Sequence, residues 1–180
     1  MPATRKIIFA VLLILFVAGA ATLFLKFKKR ASESSNFSVR VEDGLPPPSL
    51  PGQRAPSFEA ITMAGQNYKY NPTQNERTLV VFWASWCPPC AEETPALIDF
   101  SKRHSNWQIV AVSNDSTERE IRDFFKIFPN LSQPNIAIVW DLERRVSNAY
   151  GVTGLPESFM IDQKGLLIQK FIGPVDWKKF

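Results

Sequence analysis

One stretch decides the fold: Val80-Val81-Phe82-Trp83-Ala84-Ser85-Trp86-Cys87-Pro88-Pro89-Cys90. Residues 78–83 form a continuous apolar run, as expected of a strand that is covered on both faces. Pro89 suits the first position of a helix, where its missing N–H costs nothing, so a helix is predicted over residues 89–104. The stretch therefore predicts a strand, a tight turn and a helix, with one cysteine before the helix and one inside its first turn.

The two cysteines of the chain, Cys87 and Cys90, are three positions apart. At that spacing in a first helical turn, their Cα atoms can come within disulfide range. Partial positive charge and free N–H groups at the helix N-terminus stabilise a thiolate and lower its pKa. We expect Cys87 to be the exposed nucleophile that forms a mixed disulfide, and Cys90 to be the resolving thiol that breaks it.

Short strands alternate with helices on both sides of this stretch. The alternation predicts an α/β layer fold with a central parallel core and an antiparallel edge hairpin. Ala64-Gly65 marks a first hairpin, and residues 162–165 mark the turn of a second. Strands are predicted at residues 57–63, 66–70, 78–83, 108–112, 135–140, 158–161 and 166–172, and helices at 89–104, 117–128 and 143–150.

Composition excludes several classes of protein. Hydrophobic residues make up 45% of the 180 residues, enough for one domain with a core and an appendage. The net charge is +4, but six of the 21 basic residues lie in residues 1–30, which leaves 15 basic against 17 acidic residues elsewhere. That balance predicts no basic face for nucleic acid. With two cysteines and one histidine, a four-ligand zinc site is not expected, and we predict no metal and no cofactor.

The first 53 residues predict an anchor and a tether. Residues 7–25 contain no charge, and about 20 helical residues match the hydrocarbon core of a bilayer. We predict an uncleaved membrane anchor at residues 1–30; the alternative is a signal peptide with Ala18-Gly19-Ala20 as its cleavage site. Serine and proline in residues 31–53 predict an extended linker, and the domain spans residues 54–180.

The side of the membrane is less directly encoded. Two basic residues precede the apolar segment and four follow it, which by the positive-inside rule would place the domain in the cytoplasm. Large domains, however, are translocated with little regard to flanking charge. Thiol–disulfide exchange by the cysteine pair is also needed where protein disulfides form, which is outside the cytoplasm. We expect a single-pass protein of a cell inner membrane, with its domain on the periplasmic or extracellular side.

The motif Trp86-Cys87-Pro88-Pro89-Cys90 after a hydrophobic strand resembles the TlpA family of membrane-anchored, thioredoxin-like thiol–disulfide oxidoreductases. The opening Ala55-Pro56-Ser57-Phe58, the helix proline Pro95 and the loop of residues 151–159 agree with it. The resemblance implies a thioredoxin-like fold, with a central mixed β-sheet flanked by helices, an N-terminal β-hairpin and one transmembrane helix. It is closest to the thiol reductases of cytochrome c maturation.

The resemblance also implies roles for single residues. Pro156 matches the cis-proline that faces the cysteines and helps to bind substrate backbone. Glu93, on the same helix face as Cys90, matches an acidic residue that could exchange a proton with it, and burial would raise its pKa. Glu157 resembles an acidic residue of the cytochrome c maturation branch, and Trp86 is expected at the substrate surface. Both glutamates could instead be ordinary polar residues at a helix start and a strand start.

The prolines between the cysteines indicate the direction of electron flow. Neither Pro88 nor Pro89 has an N–H to donate to a Cys87 thiolate, so we predict a reductant and not an oxidase. Electrons would pass from a membrane electron-donor thiol protein to client proteins with disulfides, such as apocytochrome c. A general extracytoplasmic disulfide reductase and a thiol peroxidase are the alternatives. A copper-delivery module of similar fold would need a histidine after the cysteines, and none follows His104.

The C-terminus departs from the family pattern. Domains of the TlpA family normally end with a helix packed on the sheet, whereas here Gly173-Pro174 is followed by six residues. Either that helix is a single turn or the sequence is incomplete.

Overall fold

The computed structural model describes residues 19, 21, 22, 39–41, 44–70 and 75–180. The chain divides into two compact units, residues 1–37 and residues 38–180. The three described residues of the first unit are helical, so nearly all of the predicted membrane anchor lies outside the described residues. Within the described part of the chain, no helix has the length and apolar character needed to cross a membrane. Both described sheets lie in the second unit.

Three short strands form a small antiparallel sheet in the order β1-β2-β3. The turn between β2 and β3 holds Gly65 at φ +76°, a left-handed conformation that glycine adopts without a Cβ clash. The N–H of Gly65 donates to the carbonyl of Thr62 at 2.8 Å. The predicted N-terminal hairpin is confirmed, with shorter strands than expected. The strands are β1 (Val39–Val41), β2 (Phe58–Ile61) and β3 (Asn67–Lys69).

Part of the predicted linker, residues 31–53, is packed structure. β1 lies inside this range and pairs with β2, and Pro48 is buried. A Cβ placed on Gly151 would lie 2.7 Å from the Cβ of Pro47, so this segment passes directly over Gly151. Val39 and Val41 lie on the same side of their strand and pack on the core. Residues 39–41 and 44–53 therefore belong to the folded domain.

The central sheet has five strands in the order β6-β5-β4-β7-β8. β4 runs parallel to β5, and β5 runs parallel to β6, whereas β7 is antiparallel to both β4 and β8. This arrangement confirms the predicted parallel core with an antiparallel edge hairpin. The strands are β4 (Arg77–Trp83), β5 (Trp107–Ser113), β6 (Ile136–Trp140), β7 (Glu157–Asp162) and β8 (Leu167–Ile172).

Three α-helices join these strands: α1 (Pro88–Arg103), α2 (Glu118–Ile127) and α3 (Arg145–Ala149). Each of the three predicted helices is present, and the bounds differ from the prediction by one or two residues at each end. α1 begins one residue earlier than predicted, with both prolines in its first turn, because the N–H groups that they lack have no helical partner there.

Two apolar layers cover the central sheet, because alternate residues of its strands face opposite sides. On one side, Trp83 of β4 packs on Phe124 of α2 with ring centroids 4.6 Å apart. On the other side, the central sheet packs on residues of the small sheet and of α3. This second layer contains Phe58, Val80, Phe82, Val110, Val112, Val139, Val146, Tyr150, Phe159 and Ile161.

After β8 the chain forms a single turn of 3₁₀ helix, Trp177–Lys179. Trp177 is completely buried. The centroid of its ring lies 5.4 Å from that of Phe100 on α1 and 5.8 Å from that of Phe171 on β8. Arg103 donates to the carbonyl of Trp177 at 2.8 Å. The segment thus forms one turn of 3₁₀ helix that packs on α1 and β8.

The topology brings five chain segments to one edge of the central sheet. The parallel strands β4, β5 and β6 end there, and β7 begins there because it is antiparallel to β4. β8 also ends there, because it is antiparallel to β7. Open α/β sheets bind ligands outside the carboxyl ends of their parallel strands. We call this the cysteine edge, since the turn after β4 carries Cys87.

Candidate active site

Cys87 and Cys90 form a disulfide at the cysteine edge, with their Cα atoms 5.3 Å apart. β4 ends at Trp83, and the following turn is closed by the N–H of Cys87, which donates to the carbonyl of Ala84 at 3.2 Å. Cys87 is the N-cap of α1, and Cys90 lies in its first turn. The two cysteines are therefore bonded at the junction of strand and helix that the sequence predicts.

The start of α1 offers the sulfur of Cys87 a single amide. The two helical positions before Cys90 are prolines, so the N–H of Cys90 is the first of the helix. It donates to the sulfur of Cys87 at 3.3 Å, and the positive end of the helix dipole lies at the same place. Both would stabilise a Cys87 thiolate once the disulfide is reduced, although a helix start without prolines would supply more donors.

The accessibility of Cys87 differs from the prediction of an exposed nucleophile. Cys87 is 4% exposed and Cys90 is 1% exposed, so neither residue is open to solvent in the disulfide form. The reason is that the sulfur of Cys87 is bonded to Cys90, which is itself buried in α1. Trp86, the residue before Cys87, is 59% exposed.

Glu93 lies three residues after Cys90 on α1 and is buried, with 7% of the residue exposed. Burial raises the pKa of this carboxyl group to about 7, against a weaker opposing effect of the N–H of Val175. That N–H donates to Oε2 at 2.9 Å. The sequence suggested that burial would raise this pKa, and the structure places Glu93 in a buried position, whereas Glu92 is exposed. A group with a pKa near neutrality can both take up and release a proton.

The Leu155–Pro156 peptide bond is cis, as the family resemblance implies. Pro156 is buried and directly precedes β7, whose first residue pairs with Phe82 of β4. Pro156 and Cys87 therefore lie at the same edge of the sheet, one before β7 and the other after β4. The carbonyl of Pro156 accepts the N–H of Gly173 at 2.9 Å, which ties this loop to the end of β8.

Glu157, which the resemblance matches to an acidic residue of the cytochrome c maturation branch and so to substrate binding, lies in the interior, with no exposed surface. Its Oε1 accepts the N–H groups of Thr153 and Gly154 at 2.9 and 3.1 Å and the hydroxyl of Thr153 at 2.7 Å. Its Oε2 pairs with Lys170 at 2.9 Å. Burial alone would raise the pKa of Glu157, but the bonds from Lys170 and Thr153 outweigh it and lower the pKa. Glu157 thus shapes the loop that carries Pro156.

Asp115 has no part in the sequence-based predictions, yet it lies at the site. It follows β5 at the cysteine edge and is 1% exposed. Its carboxylate accepts hydrogen bonds from Ser85, which is two residues before Cys87, and from Ser113. The available signal was its position: an acidic residue just after a buried strand that neighbours β4 reaches the same edge as the cysteines.

His104, the single histidine of the chain, lies at the far end of α1 from the cysteines. It is the C-cap of that helix. Its ring packs against Phe100 and Trp107 at centroid distances of 4.5 and 5.1 Å. Among the residues that the structure describes, no three His, Cys, Asp or Glu side chains are grouped closely enough to hold a metal ion. His104 therefore has a packing role in the described domain.

A bonded cysteine pair that opens the helix after a central strand, on a mixed sheet of this order, characterises the thioredoxin-like thiol–disulfide oxidoreductases. Comparison with known proteins agrees with this class. Residues 51–170 match the family model described as the AhpC/TSA family, so the chain belongs to that family.

The relatives carry names of the same class. The thiol-disulfide oxidoreductase ResA of Bacillus cereus is 25% identical over 171 residues, which cover 94% of this chain and 89% of ResA. A thiol:disulfide interchange protein DsbE homolog of Paracoccus denitrificans is 32% identical over 131 residues, covering 72% of this chain and 70% of that protein. The crystal structure of StoA from Bacillus subtilis gives a TM-score of 0.59 at 26% identity, covering 73% of this chain and 96% of StoA. The class implied by the TlpA resemblance is thereby confirmed.

Proposed function

We propose that this protein reduces disulfides of client proteins outside the cytoplasm by cycling Cys87 and Cys90 between dithiol and disulfide. The observation that carries the proposal is the Cys87–Cys90 disulfide at the N-terminus of α1. Relatives named as thiol-disulfide oxidoreductases and interchange proteins support the same chemistry.

The cycle needs a dithiol donor, for which we propose a membrane thiol protein, and a client disulfide. The donor passes two electrons and two protons to the Cys87–Cys90 bond and becomes a disulfide itself. The Cys87 thiolate then attacks one client sulfur, so that a mixed disulfide forms and the other client sulfur leaves as a thiolate. The Cys90 thiolate attacks the sulfur of Cys87, expels the second client sulfur and restores the enzyme disulfide. The client gains two electrons and, after protonation, two thiols.

The direction of electron flow is argued from the donors around Cys87. A strongly oxidising enzyme is one whose reduced, thiolate form is stabilised. Here the two prolines leave the sulfur of Cys87 with one amide donor, the N–H of Cys90 at 3.3 Å. A Cys87 thiolate with few hydrogen-bond donors is less stabilised. The dithiol form therefore gives up its electrons more readily, which favours a reductant.

Four neighbours of the cysteines receive proposed roles. Glu93 exchanges a proton with Cys90, since burial holds its pKa at about 7 and it lies on the same helix. Trp86 contacts the client because it is exposed beside the disulfide. Pro156 contributes to client binding through its loop at the cysteine edge. Glu157 acts indirectly, by fixing that loop from the interior.

We further propose that residues 1–30 anchor the protein in a cell inner membrane, with the domain on the periplasmic or extracellular side. The uncharged segment at residues 7–25 supports the anchor, because its length matches a bilayer span of about 20 residues. A dithiol reductant is needed where disulfides form, which is outside the cytoplasm. Apocytochrome c with its haem-binding cysteines oxidised is the client that we propose.

A trapping experiment tests the proposed function. Cys90→Ala keeps the attacking thiol and removes the resolving thiol, so a client should accumulate as a mixed disulfide that a reductant releases. Cys87→Ala is the matched control and should trap nothing. Mass spectrometry of the trapped species identifies the client, and a wide range of clients without apocytochrome c would indicate a general disulfide reductase. Trapping by Cys87→Ala but not by Cys90→Ala contradicts the assigned order of attack.

A thiol peroxidase is the second candidate. The match to the AhpC/TSA family and the opening Ala55-Pro56-Ser57-Phe58, which related peroxidases share, favour it. Those peroxidases rely on one peroxidatic cysteine, whereas here two cysteines are bonded at a helix start. If the reduced protein consumes hydrogen peroxide faster than it reduces a client disulfide, the peroxidase is favoured and the proposed reductant is wrong.

A further inference from the structure

A single buried carboxylate holds the turn that leads to the attacking cysteine. The N–H of Ser85 donates to both oxygens of Asp115, at 3.0 and 3.2 Å, and the hydroxyl of Ser85 donates to Oδ1 at 2.6 Å. Ser85 lies inside the turn that the N–H of Cys87 closes on the carbonyl of Ala84. Asp115 therefore fixes the middle of the four-residue turn that ends at Cys87.

Asp115 is itself held at several points. The hydroxyl of Ser113 donates to its Oδ2 at 2.7 Å, and its own N–H donates to that hydroxyl oxygen at 3.1 Å. The indole N–H of Trp140 donates to its carbonyl at 2.8 Å. Every hydrogen bond that the carboxyl group makes is one that it accepts, so its partners require no proton on it. The group can thus present a fixed negative charge.

That charge is linked to Cys87 through a short piece of chain, because the carboxylate bonds to Ser85. Ser85 and Cys87 are two residues apart, so their Cα atoms are separated by at most about 7 Å. Asp115 is 1% exposed and Cys87 is 4% exposed, so both groups are shielded from water and a negative charge on one opposes a negative charge on the other more than it would in bulk water. The dipole of α1 and the N–H of Cys90 favour a Cys87 thiolate, whereas Asp115, and Glu93 on α1 when ionised, oppose it.

We propose that Asp115 is a positioning residue that fixes the turn before Cys87 and, through its negative charge, raises the energy of the Cys87 thiolate. The inference rests on the proposed function, because it concerns the thiolate of the same cycle. A less stable thiolate makes the dithiol form a stronger reductant. Asp115 and the Pro88-Pro89 pair then act in the same direction, one by adding charge and the other by withholding donors.

The test is Asp115→Asn in the reduced full-length protein kept in detergent. Asparagine preserves the shape and can still accept the N–H of Ser85, but it carries no charge. The apparent pKa of Cys87, read from the pH dependence of its alkylation rate, should fall by about 0.5–1 unit. The equilibrium constant for reduction of the disulfide by glutathione should rise about three- to tenfold, in proportion to the thiolate stabilisation.

Asp141→Asn is the matched control. Asp141 is equally buried, at 1% exposure, and its carboxylate accepts the N–H groups of Val146 and Ser147 at the start of α3. It follows β6, which is separated from β4 by β5. Asp141→Asn should lower the free energy of unfolding but leave the pKa of Cys87 unchanged. A purely structural effect of removing a buried carboxylate would instead move both variants alike.

The outcomes separate the inference from the proposed function. An unchanged or raised pKa of Cys87 in Asp115→Asn, or an equal fall in Asp141→Asn, overturns the inference. Should Asp115→Asn not fold, Ser85→Ala is the second variant. It removes the hydroxyl that donates to Oδ1 of Asp115, so less of the carboxylate charge is offset by hydrogen bonds and the pKa of Cys87 should rise. An unchanged or lower pKa of Cys87 overturns the inference. A wild-type protein that cannot cycle between dithiol and disulfide refutes the proposed function itself.

Discussion

Replacing Glu93 by glutamine should change how the stability of the protein depends on pH. Glutamine keeps the shape of the side chain and can still accept the N–H of Val175, which lies 2.9 Å from Oε2 of Glu93. It cannot ionise. The substitution therefore isolates the cost of placing a negative charge in an interior position that is 7% exposed.

The magnitude follows from the pKa of Glu93, which burial raises from its ordinary value of 4.5 to about 7. Between those two values the folded protein holds a proton that the unfolded chain has released, so stability falls as the pH rises through this window. Below the window, both states are protonated and there is no cost. Above it, the cost is constant at about 3 kcal/mol, since one unit of pKa corresponds to about 1.4 kcal/mol.

Urea unfolding of the oxidised proteins measures this cost. The free energy of unfolding of Glu93→Gln, minus that of the wild type, should increase by about 3 kcal/mol between pH 4 and pH 8.5. Other ionisable groups titrate in both proteins and cancel in the difference. Glu92→Gln is the matched control, because Glu92 is exposed on the same helix turn, and its difference should stay flat. A flat difference for Glu93→Gln as well would refute the reasoning.

Two further contacts are each tested by one substitution and urea unfolding. Gly151→Ala should lower the free energy of unfolding by about 2–4 kcal/mol, because the φ of Gly151 is +61° and the new Cβ would lie 2.7 Å from Pro47. Gly65→Ala is the control, since Gly65 has φ +76° but open space around it, and it should lower the free energy of unfolding by only about 1–2 kcal/mol. Equal losses would contradict the Pro47 contact. Lys170→Met should cost about 3 kcal/mol at pH 7, because it leaves the ionised Glu157 buried without its cation. The pKa of Glu157 is lowered, so its ion pair stabilises the fold above pH 4.5 and this stabilisation is lost as the pH falls through the folded pKa. The loss of unfolding free energy in Lys170→Met should therefore be smaller at pH 3 than at pH 7. A loss that does not depend on pH would count against the ion pair.

The features that the sequence predicts well are those that depend on neighbouring residues. The apolar run at residues 78–83 matches β4, and the prolines mark the start of α1, because hydrophobic pattern and proline geometry act over a few positions. The hairpin at Gly65 follows from turn chemistry in the same way. The sequence therefore predicts the end of β4 and the start of α1, between which Cys87 lies, with an error of at most one residue.

The features that the sequence misses depend on distant segments. The N–H of Val175 donates to Glu93, which is 82 positions earlier in the chain, and no local sequence pattern predicts that hydrogen bond. Residues 39–41 look like tether by composition but gain a partner strand once β2 is in place. Glu157 follows Pro156 in the loop motif, and no local pattern places it in the interior, where Lys170 of the neighbouring strand pairs with it. In each case the decisive partner is fixed only by the strand order of the completed sheet.

Three buried carboxyl groups lie on elements next to the cysteine turn, Asp115 after β5, Glu157 at the start of β7 and Glu93 in α1, and the number of donors that each one faces separates their tasks. Asp115 faces three donor groups, on Ser85 and Ser113, and Glu157 faces three donors and the ammonium group of Lys170. Each therefore fixes a loop as a stable acceptor, one before the attacking cysteine and one before the cis-proline. Among the residues that the structure describes, Glu93 accepts one N–H and pairs with no cation, so burial dominates and its pKa rises to about 7. A carboxyl group with few donors makes a weak anchor but gains and loses a proton near neutral pH, which is why the proposed proton exchange falls to Glu93 and not to its better-bonded neighbours.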